Sequence, residues 1–213
     1  HATAGVPTEF GSHAMAGNVP KVDSPAIARL HAAGAVMLGK TTSPEFGWKG
    51  VSQSPLTGIT HNPWGHGLNA GASSAGAAVA AACGMGVLHD GGDGAGSIRM
   101  PAHFCGVYGL KPTHGRIPNW PMSNNDLATH LGPITRSVAD AAVMLKAMAG
   151  PHPWDITSLE APPADYPALL HADMRGKRIA YSADLGHARV EPEVAALAAQ
   201  AAVQAEQAEA QAQ

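Results

Sequence analysis

Residues 75–83 read Ala-Gly-Ala-Ala-Val-Ala-Ala-Ala-Cys, a run of tiny side chains. Alanine is the strongest helix former, so the run is expected to be a helix. Such a helix has no bulk with which to build a core of its own. What it offers is a backbone that can lie very close to a sheet, so the fold must supply that sheet. Short apolar runs provide candidate strands at Ala35-Val36-Met37-Leu38, at residues 106–110 and at residues 178–182. Two further helices are marked by their ends. Ser24-Pro25 is an N-cap followed by proline in the first turn, with Ile27, Leu30 and His31 on one face and Gly34 as the stop. Ser137 with Asp140 makes a capping box for a helix that runs through Met148 and ends at Gly150-Pro151. Helices alternating with buried strands specify an α/β layered fold. Residues 41–72, dense in Gly, Pro, Ser, Thr and Asn, are mostly loop, and residues 151–176 form a long surface connection.

The chain has 213 residues, 45% of them hydrophobic, which suits a single domain over 1–213. Both ends are expected to be truncations. The start, His1-Ala2-Thr3, has neither methionine nor helix signal, and the Ala/Gln/Glu run 195–213 has helical composition but little to pack. Only 14% of residues are charged and the net charge is −3, so nucleic acid is not an expected partner. No apolar run approaches the roughly 20 residues of a membrane span, and no leader is visible. The two cysteines, Cys83 and Cys105, form no CxxC pair and are read as buried free thiols in a reducing compartment, hence a cytoplasmic protein. The 12 histidines lack ligand spacing, so neither metal nor cofactor is expected. Residues 34–41 fit the phosphate-loop pattern G-x-x-x-x-G-K-[ST]. Their four central residues are apolar, however, and the helix precedes the loop instead of following it. Nucleotide binding is not expected.

Two serine-centred loops carry the chemistry. The first is Gly71-Ala72-Ser73-Ser74-Ala75-Gly76, and the second is Gly91-Gly92-Asp93-Gly94-Ala95-Gly96-Ser97-Ile98-Arg99. A nucleophilic serine benefits from neighbours without bulk, because a substrate carbonyl must come close to the backbone. Successive N–H groups at Gly94, Ala95, Gly96 and Ser97 could converge on an oxyanion, each worth roughly 3–4 kcal/mol when preorganised. Asp93 and Arg99 are read as holding the loop. Neither loop has the G-x-S-x-G elbow, since Ala75 fills the last glycine position.

The second loop continues Ser97-Ile98-Arg99-Met100-Pro101-Ala102-His103-Phe104-Cys105-Gly106-Val107-Tyr108-Gly109-Leu110-Lys111-Pro112-Thr113. With Gly39-Lys40-Thr41-Thr42, Glu45-Phe46 and Asn62-Pro63-Trp64 upstream, and serines 24 positions apart, the chain resembles the amidase signature family over most of its length. The resemblance implies a twisted mixed β-sheet covered by helices on both faces. It implies Ser97 as the acyl-forming nucleophile and Ser73 as the bridging serine, after a cis Ala72–Ser73 peptide. It also implies oxyanion-hole N–H groups at Gly94, Ala95 and Gly96, and a substrate pocket around Phe46, Gly47 and Trp48. The family lysine that completes a Ser-Ser-Lys triad would fall just ahead of His1, outside this sequence, and Lys40 belongs to a different motif. Alanines at 72, 75 and 95 stand where the family prefers glycine, and Ala95 is expected to strain the loop. Gly92 and Gly94 replace common threonines.

The implied activity is hydrolysis of small carboxamides, anilides or carbamates, with room for a homodimer. One alternative is the amidase component of a tRNA-dependent amidotransferase. That component usually carries Asn-Met-Asp-Glu-Phe where this chain has Thr42-Ser43-Pro44-Glu45-Phe46. The other is an inactive fragment or degenerate paralogue acting as a scaffold.

Overall fold

The computed structural model describes residues 1–122, 126–173 and 176–211. The chain divides into two units, His1–Leu170 and His171–Gln213. In the first, the elements are α1 (Pro25–Ala32), β1 (Gln53–Ser54), β2 (Gly58–Ile59), β3 (His61–Asn62), β4 (Gly65–Asn69), α2 (Ala75–Ala82), β5 (Leu88–Asp93), α3 (Arg99–Cys105), β6 (Tyr108–Gly109), β7 (His130–Thr135), α4 (Val138–Met148) and α5 (Tyr166–Leu169). The second unit contains α6 (Pro192–Gln211), the Ala/Gln/Glu helix expected from composition. Among the described residues no helix is long and apolar enough to cross a membrane.

The main sheet has the order β5-β7-β6, with β7 antiparallel to both neighbours. Leu131 and Ile134 lie three positions apart on β7 and therefore face opposite ways. Ile134 packs into a cluster with Ala78, Ile98 and Cys105, whereas Leu131 joins Ala26, Met144 and Met148. Helices α2 and α3 thus cover one face, and α1 and α4 the other. This is the α/β layering expected, built here on antiparallel pairs. The hairpins β1–β2 and β3–β4 stand apart from that sheet.

The tiny residues of α2 do what their size allows. A Cβ at Gly76 would lie 2.5 Å from the Thr42 carbonyl oxygen. On the facing strand, a Cβ at Gly91 would lie 2.7 Å from Ser74 Oγ and 3.0 Å from Ile134 Cδ1. Gly91 pairs directly with Gly132, where a Cβ would strike the Leu110 carbonyl. Helix and sheet approach so closely that neither side has room for a side chain.

Helix ends agree with the sequence. Ser137 Oγ accepts from the Asp140 N–H (3.1 Å) and donates to its carboxylate (2.6 Å). Past α1, the chain turns at Gly34 (φ +87°), whose N–H bonds the His31 carbonyl. Strands agree less well. Ala35-Val36-Met37-Leu38 is unpaired, with Val36 and Leu38 82% and 79% exposed, and residues 178–182 are also exposed and without strand structure. Apolar composition alone cannot make a strand where no neighbour takes its backbone hydrogen bonds. Conversely, β5 runs through Gly91-Gly92-Asp93, which composition assigns to loop, and β7 carries Gly132-Pro133. Helix α3 has no clear sequence signal; its Pro101 sits in the first turn, where a missing N–H costs no helical bond. Of the two free cysteines, Cys105 is buried but Cys83 is exposed, which corrects the reading of both as buried.

Replacing a helical glycine with alanine ordinarily stabilises by about 0.5–1 kcal/mol. Gly76→Ala is expected to do the reverse and cost about 1–3 kcal/mol, because the added methyl meets the Thr42 backbone. Urea unfolding midpoints of the two proteins check the sign.

Candidate active site

Ser97 occupies the turn between β5 and α3, and Ser73 the residue pair preceding α2; both are half-buried. The Ser74 N–H donates to the Ser97 carbonyl at 3.2 Å, so the two loops lie side by side. The Ala72–Ser73 peptide is cis, as the resemblance implies. Ser74 is a contributor that the sequence did not single out. Its buried hydroxyl accepts from the Gly92 N–H (3.2 Å) and donates to the Gly92 carbonyl (3.3 Å), pinning the start of α2 to β5.

The serine loop is organised by Asp93, whose side chain is wholly buried. Its carboxylate accepts from the backbone N–H groups of Gly96 (2.7 Å), Ile98 (3.1 Å) and Arg99 (3.2 Å). The Arg99 guanidinium adds Nε at 3.0 Å and a terminal nitrogen at 2.9 Å. Burial by itself would raise the Asp93 pKa, but these donors outweigh it and hold it at about 2. Asp93 and Arg99 therefore hold the loop, as their residue types suggested. The Gly96 N–H is engaged by Asp93, while those of Gly94, Ala95 and Ser97 donate to no protein acceptor among the described residues. Left-handed backbone falls at Gly96 (φ +116°) and not at Ala95. The methyl of Ala95 is exposed and strains nothing, which corrects the expectation for that position.

Phe46, Gly47 and Trp48 adjoin the same place. Glu45–Gly47 forms a 3-10 turn with Phe46 at φ +50° and Gly47 at φ +68°. A Cβ at Gly47 would lie 3.1 Å from Ser73 Oγ, so this turn walls one side of that hydroxyl. Left-handed backbone at a bulky residue costs of order 1–3 kcal/mol and persists only where neighbours enforce it. Here the Phe46 N–H donates to the Phe10 carbonyl (2.8 Å), the two rings stack with centroids 6.1 Å apart, and Ser12 Oγ donates to the Glu45 carboxylate (2.7 Å). Phe10 is a second residue that no local signal marked. Glu45, Phe46, Trp48 and Lys49 line an open depression of about 340 Å³ beside the turn.

Lys40 is engaged elsewhere. Its ammonium donates to the His1 carbonyl, and burial lowers its pKa against the pull of Asp90 and Asp23. No helix follows Thr41, as a phosphate loop would require; the next element is the 3-10 turn. Among the described residues no three His, Cys, Asp or Glu side chains are grouped to hold a metal.

This fold and paired-serine site have known counterparts. All of residues 1–213 match the Amidase family, and the chain belongs to it. An acylamidase from Rhodococcus erythropolis is 46% identical over 92% of this chain and 41% of its own length. The amidase component of a glutamyl-tRNA(Gln) amidotransferase from Synechococcus sp. (strain RCC307) is 40% identical over 95% of this chain and 42% of its own. The chain thus spans about two fifths of the length of these relatives. Among solved structures, a 6-aminohexanoate cyclic dimer hydrolase superposes with a TM-score of 0.89 at 33% identity, covering 95% of this chain and 44% of that one. A bacterial aryl acylamidase gives 0.86 at 32% identity, covering 94% and 42%.

The depressed Asp93 pKa makes stability depend on acid. Its contribution is fully present above the unfolded carboxylate pKa near 4 and is lost as pH falls through about 2. The difference amounts to about 2 kcal/mol. Asp93→Asn, which leaves buried N–H groups facing an amide, is expected to cost on the order of 3 kcal/mol at pH 7 and to flatten that acid limb. Urea unfolding from pH 2 to 7 reads both.

Proposed function

We propose that this chain is the nucleophile-bearing part of an amidase that cleaves C–N bonds of small carboxamides, anilides or carbamates through an acyl-enzyme on Ser97. The observation that carries this reading is the Ser74-to-Ser97 backbone contact, which sets the two serine loops together beside the Gly47 turn. Ser97 Oγ adds to the substrate carbonyl while its proton passes to Ser73, and from there to a neutral lysine that the family places ahead of His1. The oxyanion is held by the N–H groups of Gly94 and Ala95, with Gly96 tied to Asp93 and fixing their direction. Collapse expels the amine, which takes a proton back through Ser73. Water then hydrolyses the ester and restores Ser97.

Phe46, Gly47 and Trp48 form the near wall of the substrate site. The names of the relatives, acylamidase and aryl acylamidase, favour a stand-alone hydrolase. So does Thr42-Ser43-Pro44-Glu45-Phe46, which differs from the stretch usual in the amidotransferase component. That component remains the second reading because its members are also about 40% identical. Free cysteines suit a cytoplasmic setting.

Intact mass after fluorophosphonate treatment tests the proposal. One adduct is expected, mapping to Ser97 and absent from Ser97→Ala. Ser73→Ala should slow its formation by about 10²–10⁴. A wild-type chain that takes no adduct would leave the scaffold reading in its place.

A further inference from the structure

We infer that Asn62 and Trp64 are positioning residues for Ser97, acting through the far end of α3; the inference rests on Ser97 being the nucleophile. Helix α3 has seven residues, Arg99–Cys105, too few to be stable without support. Its first turn is held by Asp93, which accepts from the Ile98 and Arg99 N–H groups. Its last carbonyls have no intrahelical donors, as at any helix end. The β3–β4 hairpin supplies them. Asn62 Nδ2 donates to the Phe104 carbonyl at 2.9 Å, and Trp64 Nε1 to the Cys105 carbonyl at 2.8 Å.

Both side chains are themselves fixed. Asn62 is buried; its amide also donates to the Asn69 carbonyl (3.1 Å), and its oxygen accepts the Trp64 N–H (2.9 Å). The Trp64 indole lies over Gly106, the left-handed residue that ends α3, where a Cβ would sit 3.6 Å from Nε1.

The axial position of α3 matters because the helix also touches the other serine loop. A Cβ at Gly71 would lie 2.6 Å from the Pro101 backbone, and Cys105 Sγ donates to the Ala70 carbonyl at 3.7 Å. Sliding or tilting α3 would move Ser97 relative to the Gly71–Ala72–Ser73 segment. The hairpin therefore sets the separation of the two serines without touching either.

Two variants of the full chain test this. Trp64→Phe removes one donor and keeps a ring over Gly106; Asn62→Asp removes the amide donors and keeps the acceptor. Each lost hydrogen bond is expected to speed hydrogen exchange at the Ile98, Arg99, Ala102 and Val107 amides by about tenfold. In the same variants the limiting rate of Ser97 phosphonylation should fall by about tenfold, with the reagent concentration for half-saturation unchanged. A purely structural role would lower stability and leave that split unmoved. Wild-type exchange at Ile98 and Arg99 in both variants overturns the inference, as does faster exchange with an unaltered phosphonylation rate. If the wild-type chain takes no phosphonate at all, the nucleophile assignment fails and the inference with it; the exchange data then report the clamp on α3 alone.

Discussion

A carboxylate with no exposure to water is tolerable only when its lone pairs are filled, and Asp93 fills them with five N–H donors. Those donors come from the residues on either side of Ser97 and from Arg99. The last residue of β5 is thereby bound to the first turn of α3, and the serine between them has little freedom left. Breaking this one set of bonds would release a buried charge, the glycine-rich turn and the start of a helix together. The geometry of the site depends on it more than on any apolar contact.

Close approach of backbones is the second constraint. At Gly76, Gly91, Gly71 and Gly132 a Cβ would collide with backbone or buried side-chain atoms. The small residues around both serines therefore have two causes. Some leave room for a substrate, as expected of a nucleophile loop. Others let α2 and α3 press against β5 and against each other, and these would be needed with no chemistry at all. Ala95 belongs to neither group: it is exposed, with ordinary backbone, which is why alanine serves there as well as glycine.

The walls of the site come from far along the chain. Phe46 holds a left-handed backbone because Phe10, 36 positions earlier, accepts its N–H and stacks on its ring. The Asn62 and Trp64 side chains close the end of a helix 42 and 41 positions further on. The loops keep their shape through contacts of this range, since their own local structure is sparse.

Much of this was present in the sequence. The start of α4 and the stop of α1 were legible because caps and stop glycines act within a few residues. Helix α2 was legible because alanine propensity is local. The serine loops and their spacing were legible as motif. Strands β5 and β7 were hidden by Gly91-Gly92 and Gly132-Pro133, while Val36 and Leu38 looked like a strand and lie exposed. A strand exists only by virtue of its partner, and partners are chosen by tertiary packing. The adjacency of Ser73 and Ser97, the bracing of Phe46 by Phe10 and the pinning of α2 by Ser74 were decided the same way. Each depends on which distant backbone fills a space too narrow for a side chain, and no window of neighbouring residues encodes that.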